Sequence, residues 1–192
     1  MKRILRIINR FNLGGPTFNA AYLTKYLYPE YETLLIGGIH EEGEESSEFI
    51  LNSLGIKAIV IPEMRRSING IADYQAYLKI KKIINDFKPH IVHTHASKAG
   101  ILGRKAAFDT NVPVVVHTFH GHVFHSYFNS IKTSTFIHIE RQLAKKTDKI
   151  IAISPSQKEE LVKKYKIANE NKFEVIPLGL DLRRFVENQK EK

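Results

Sequence analysis

The chain is predicted to fold as α/β, a single Rossmann-like doubly wound and mostly parallel sheet of about seven strands with helices on both faces. Two observations carry this. Short β-branched apolar runs alternate with longer amphipathic ones along the 192 residues. The short runs are apolar almost throughout rather than at every second position, as befits strands covered on both faces.

In order, the strands are expected at Arg3–Ile8, Glu32–Ile36, Ile56–Ile61, Ile91–Thr94, Val112–His117, Lys149–Ile153 and Phe173–Ile176. Helices are expected near 16–28, 45–53, 71–87, 98–109, 130–146 and 155–166. Pro16 after Gly14–Gly15 suits a first helical turn, where its missing N–H costs nothing. At 71–87 the residues Ile71, Tyr74, Leu78, Ile80, Ile84 and Phe87 fall at helical spacing. Pro89 ends that helix by pushing Lys88 out of the helical region. Ser154 before Pro155 is a ready N-cap. After Ile176 the pattern dissolves into PLGLDLRRFVENQKEK.

Composition narrows the function. With no cysteine, disulfides and thiolate metal sites are excluded, which fits a cytoplasmic protein. The opening MKRILRII is too short for a signal segment, and no apolar run approaches about eighteen residues. The net charge of +9 is uneven: residues 41–48 hold five glutamates, and 79–105 hold seven Lys or Arg against the single Asp86. Such a field would suit phosphorylated small molecules, anionic lipid or nucleic acid. No nucleic-acid-binding signature is present, and Tyr74, Tyr77, Phe119 and Phe124 read as core or pocket.

Doubly wound sheets bind ligands at the carboxyl ends of their strands, so the loops there are the candidates. In INRFNLGGPT, Gly14 and Gly15 let backbone approach a ligand at a helix N-terminus, and Arg10 adds a cation. In HTHASKAGILGR, Ser97 is a possible cap and Lys98 faces the same crevice. His93 and His95 share a strand face, and Gly100 and Gly103 let the helix sit close to the sheet. The string HTFHGHVFH carries four histidines in nine residues. A histidine there, His120 or His122, could bond a sugar hydroxyl, act as acid or base, or hold a metal. Without cysteine, HEXXH spacing or nearby carboxylates, no metal is expected. Arg65 and Arg66, in MRRSING, could meet an acceptor phosphate or a lipid headgroup.

Taken together and in order, NLGGPT, HTHASKAGILGR, HTFHGHVF, TDKIIAIS and VIPLGLDLRRF resemble the N-terminal half of GT4-type retaining glycosyltransferases of the GT-B fold. The resemblance implies an acceptor-side domain at 1–176, an interdomain connector beginning at 177–192, and a donor-binding C-terminal domain that this sequence lacks. It implies a nucleotide-sugar co-substrate, a glycan or lipid-linked acceptor, no metal, and peripheral contact with an anionic membrane at its inner face. Gly14 and Gly15 match the glycine pair that contacts donor phosphate or sugar, and His120 matches the histidine beside the transferred sugar. Ser97, Lys98 and His122, with Arg10, Arg65 and Arg66, fall on the acceptor side. The isolated chain is expected to be inactive or nearly so. The alternative is a non-catalytic subunit that pairs with a separate catalytic chain.

Overall fold

A computed structural model describes residues 1–121, 130–179 and 181. Its seven strands form one all-parallel sheet. They are β1 (Lys2–Arg10), β2 (Tyr31–Gly38), β3 (Ala58–Val60), β4 (Ile91–His95), β5 (Val114–Phe119), β6 (Lys149–Ala152) and β7 (Phe173–Val175). Their order is β3-β2-β1-β4-β5-β6-β7, so the winding reverses between β1 and β4. The helices are α1 (Gly15–Tyr26), α2 (Glu48–Ser53), α3 (Gly70–Phe87), α4 (Ser97–Asp109), α5 (Ser130–Lys146) and α6 (Pro155–Glu159), the last continued by a π-helical turn at Glu160–Lys164.

Adjacent residues of β1 and β2 feed opposite faces. Leu5, Ile7 and Ile36 join Val92 and Val115 under α3 and α4, whereas Ile8 and Leu35 pack with Ala20, Ala21, Ile50 and Leu51 of α1 and α2. Phe119, Ile150 and Ala152 meet Ala144 of α5 and Leu161 of the π-helical turn. A side chain at Gly103 would place its Cβ 2.7 Å from Thr94 Cγ2, and one at Gly100 would sit 2.6 Å from His117 Cε1. These two glycines let α4 lie close on the sheet, as its sequence implied. Arg104 and Glu140 then bolt α4 to α5, Nη2 to Oε2 at 2.6 Å with both side chains out of solvent.

Some boundaries move, for local reasons. β5 starts at Val114 because Pro113 has no N–H to give the ladder, and it runs on to Phe119 because Thr118 and Phe119 pair with Ile151 and Ala152. α2 starts only at Glu48, since Glu45 and Ser46 are engaged by Leu13 and Asn12. Ser154 caps α6 as expected, accepting from the Gln157 N–H at 3.2 Å. The largest correction concerns α3. Its buried face is Ala76, Ile80 and Ile84, while Ile71, Tyr74 and Leu78 are 75%, 61% and 45% exposed. At about 100° per residue the two stripes lie on opposite sides of the helix. Helical spacing is satisfied by both, and Tyr74 is neither core nor pocket.

Candidate functional site

The carboxyl edge of β1, β4 and β5 brings together the loops that the sequence singled out. Gly14 is the N-cap of α1 in extended backbone, and Gly15 opens the helix. The Thr17 and Phe18 N–H groups return to the Gly14 carbonyl at 3.1 and 3.3 Å. Pro16 has no N–H, so the amides of Gly14 and Gly15 are what this turn can offer. A Cβ at Gly15 would meet nothing within 4 Å. Neither backbone strain nor packing requires glycine there, and the space in front of it is open.

On the next strand, His93 and His95 point to one side and Thr94 to the other. Arg6 of β1, 1% exposed, donates from Nη1 to His93 Nδ1 at 2.7 Å and from Nη2 to the Leu23 carbonyl at 3.4 Å. His93 Nε2 lies 2.7 Å from Thr118 Oγ1. The His95 ring lies tilted against His93, centroids 4.1 Å apart, and its Nδ1 lies 2.9 Å from His120 Nε2. On the opposite face His117 Nδ1 meets Thr94 Oγ1 at 2.8 Å. Among the described residues, the buried His95 Nε2, His120 Nδ1 and His117 Nε2 have no partner.

This environment keeps the imidazoles neutral. Burial pushes His93, His95 and His117 well below the ordinary value of 6.5; the Arg6 guanidinium adds to the effect at His93, and Arg104 at His117. Burial brings His120 down to about 4. Arg6 itself is lowered to about 10 by desolvation and so stays charged at neutral pH. None of these groups is a proton carrier near pH 7. They are hydrogen-bonding groups.

The candidate cations divide. Arg10 is clamped by Glu44, with Nε to Oε2 at 2.9 Å and Nη2 to Oε1 at 2.5 Å, and this bond holds the Glu44 carboxyl below its usual range. Lys98 pairs with Asp73 Oδ1 at 2.5 Å and donates to the Ser67 carbonyl. Arg65 and Arg66 are exposed; Arg65 Nε donates to the Pro62 carbonyl at 3.5 Å, and the Arg66 backbone N–H donates to Glu41 Oε1 at 2.6 Å. Ser97 does not cap α4, because the cap is Ala96, at φ 64° and ψ 171°. His122 and most of the PLGLDLRRF segment lie outside the described residues.

Sequence reasoning missed Arg6, Thr118, Asp73 and Glu44. An arginine in the middle of an apolar strand, KRILRII, was a visible signal for the first. The two acids become partners only through contacts distant in sequence. Among the described residues no group of three or more His, Asp or Glu could hold a metal ion, and no helix is long and apolar enough to cross a membrane.

The chain is 37% identical over 130 residues to an Escherichia coli UDP-Gal:α-D-GlcNAc-diphosphoundecaprenol α-1,3-galactosyltransferase, covering 68% of this chain and 33% of that protein. Anabaena HepE, solved with UDP and glucose, superposes with a TM-score of 0.70 at 13% identity over the whole of this chain and 50% of its own. A UDP-N-acetylglucosamine 2-epimerase superposes at 0.67 with 17% identity, covering 91% of this chain and 48% of that one. The chain thus spans about a third of the curated relative and half of the solved chains. The two solved structures share the fold alone. The Glycosyltransferase Family 4 profile, however, matches residues 23–184, and the chain belongs to that family.

Proposed function

We propose that this chain is the acceptor-side domain of an enzyme that transfers a sugar from a nucleotide-sugar donor to a lipid-linked or glycan acceptor. The observation that carries the reading is His120. It is a neutral imidazole at the carboxyl end of β5, and its Nδ1 is buried with no partner among the described residues. A nitrogen held from water without a partner is costly unless a ligand supplies one. A hydroxyl of the transferred sugar is the partner that this chemistry fits. With a pKa of about 4, His120 acts as a hydrogen-bonding group and not as a general acid at neutral pH. The open space at Gly15 suits close approach of a donor phosphate to the Gly14 and Gly15 amides.

A two-domain transferase works by closing on both substrates and excluding water. This chain alone therefore turns over little or nothing. The decisive test is nucleotide-sugar turnover by the chain alone and by the chain fused to a family donor domain. Turnover only in the fusion, falling about 10²–10³-fold in His120→Ala, supports the reading. Full activity in the His120→Ala fusion refutes the role of His120, and robust turnover by the isolated chain refutes the domain role.

The acceptor class has its own support. Ile68, Ile71, Tyr74 and Leu78 form an exposed apolar stripe beside exposed Arg65 and Arg66. At about 100° per residue, Lys81 and Lys82 flank it on α3. That surface suits the interface of an anionic bilayer, where a lipid-linked acceptor would reside. Sedimentation with phosphatidylglycerol vesicles at low salt, reduced in Ile71→Ser/Tyr74→Ser, is the expected result. Equal sedimentation by wild type and variant removes the membrane reading and leaves sugar transfer untouched.

A further inference from the structure

The backbone ladder between β5 and β6 ends at the pair Phe119–Ala152, just before His120. Ile153, the next residue after β6, donates its N–H to the side chain of Gln157, at 2.8 Å to Oε1. The other end of the same amide, Nε2, donates to the Gly121 carbonyl at 2.6 Å. A backbone N–H only donates and a carbonyl only accepts, so these two partners allow the amide one orientation. Gln157 is 3% exposed, and its side chain links the two strand ends as one further peptide group would.

The residue held by this bridge is the one directly after His120. Gly121 turns the chain at φ 84°, a left-handed conformation that glycine adopts readily, and a Cβ there would meet nothing within 4 Å. Among the described residues, packing at the Gly121 α-carbon does not hold this turn, whereas the bond from Gln157 does. Gln157 is itself anchored, its backbone N–H donating to Ser154 Oγ at 3.2 Å. Ser154 and Gln157 have the spacing at which Gln or Glu serves the start of its own helix. Glutamate would supply the accepting half equally well, but the bond to Gly121 needs an amide donor. On its other side His120 Nε2 meets His95 Nδ1 at 2.9 Å.

We propose that Gln157 is a positioning residue for His120: by tying the Gly121 carbonyl to the end of β6, it keeps the imidazole against His95. The proposal rests on the reading of His120 above and adds the residue on which its placement depends. It also gives the start of α6 a part in a site otherwise built from β1, β4 and β5.

The test is the titration of the histidine ring signals of the full chain from pH 8 to pH 6, in wild type, Gln157→Met and Ser154→Ala. In wild type His93, His95, His117 and His120 stay neutral and their signals do not move. Methionine has the length of glutamine but can make neither bond. In that variant the His120 signal alone should titrate, its pKa rising from about 4 toward the ordinary 6.5. His93 and His95, the titratable groups that face His120, should stay neutral throughout. Ser154→Ala weakens the same helix start but leaves the bridge in place, so its His120 should behave as in wild type. A role in stability alone would affect the two variants alike and would not single out His120. An unmoved His120 in Gln157→Met, four histidines titrating together, or equal release of His120 in Ser154→Ala overturns the proposal. So does the absence, in wild type, of scalar coupling between the Gln157 side-chain nitrogen and the Gly121 carbonyl carbon. Should Gln157→Met not fold, Gln157→Asn, one methylene too short to span both bonds, takes its place. The spectra require no donor domain and no turnover, so this proposal and the transferase reading fail independently.

Discussion

Lowering the pH should unfold this domain well above the range in which its carboxylates titrate. His93, His95 and His117 are 6%, 0% and 0% exposed, and with His120 all four have pKa values depressed below 6.5 by burial. In the unfolded chain they regain that ordinary value and bind protons that the native state refuses. Stability is therefore complete above pH 6.5 and is lost as pH falls below it, until the native groups themselves protonate. For each such histidine that stays neutral in the fold the loss is on the order of 1 kcal/mol at pH 5.5 and about 2 kcal/mol at pH 5, so the cluster as a whole loses several kcal/mol. A domain of this size is stable by only about 5–15 kcal/mol in total. Urea unfolding followed by circular dichroism at intervals from pH 7.5 downwards should show a midpoint falling steeply below pH 6.5, with an unchanged slope. A stability flat to within about 1 kcal/mol down to pH 5.5 would mean that the imidazoles protonate in the folded state, and the neutral-cluster argument would be wrong.

Glu140→Gln should cost about 3–5 kcal/mol by leaving Arg104 charged and buried, while Arg104→Met/Glu140→Leu should recover most of it; urea melts of both variants check the difference. Gly100→Ala should cost about 1–3 kcal/mol, because its Cβ would meet His117 at 2.6 Å and lever α4 off the sheet. A loss confined to stability, with an unchanged His117 signal, would contradict that contact. Ala96→Gly should raise thermal stability, since alanine at φ 64°, ψ 171° occupies backbone that costs about 1–3 kcal/mol; a lowered melting temperature would show that the position is unstrained.

Much of the fold was legible because its strands are buried on both faces and read as unbroken apolar runs such as VPVVV. The bounding proline there misled by two residues, since the run counts Val112 as strand while Pro113 ends the ladder. α3 failed in a more instructive way. Periodicity reports that apolar residues recur on a helix but does not separate a core stripe from one facing solvent, and this helix carries both. The site was legible to the extent that it lies at strand ends: Gly14–Gly15, Lys98 and His120 each follow a strand. What a strand end meets was not legible. Glu44 lies 34 residues from Arg10 in sequence, and Asp73 is on a different helix from Lys98. Pairings of that range arise from the winding of the sheet and leave no local pattern.

The two faces of β5 make the strongest case that the polar cluster is kept for chemistry. On the face toward α4, His117 lies against Gly100 near Arg104, whose charge is met by Glu140. That arrangement joins two helices, although His117 Nε2, Arg104 Nη1 and Glu140 Oε1 find no partner among the described residues. On the other face Thr118 and His120 meet His93, His95 and Arg6, and here no described carboxylate meets the cation. Apolar residues at these positions would pack at less cost, since buried polar groups contribute little net stability even when paired. The acid lability worked out above is part of that cost. It falls at the edge where β1 and β4 part, the one place in a doubly wound sheet where a ligand can reach backbone from two directions. His95 Nε2 and His120 Nδ1 lie at the carboxyl ends of β4 and β5, the edge at which the Gly14–Gly15 turn after β1 also emerges, and an oxygen-rich ligand bound there would supply the partners that they lack among the described residues.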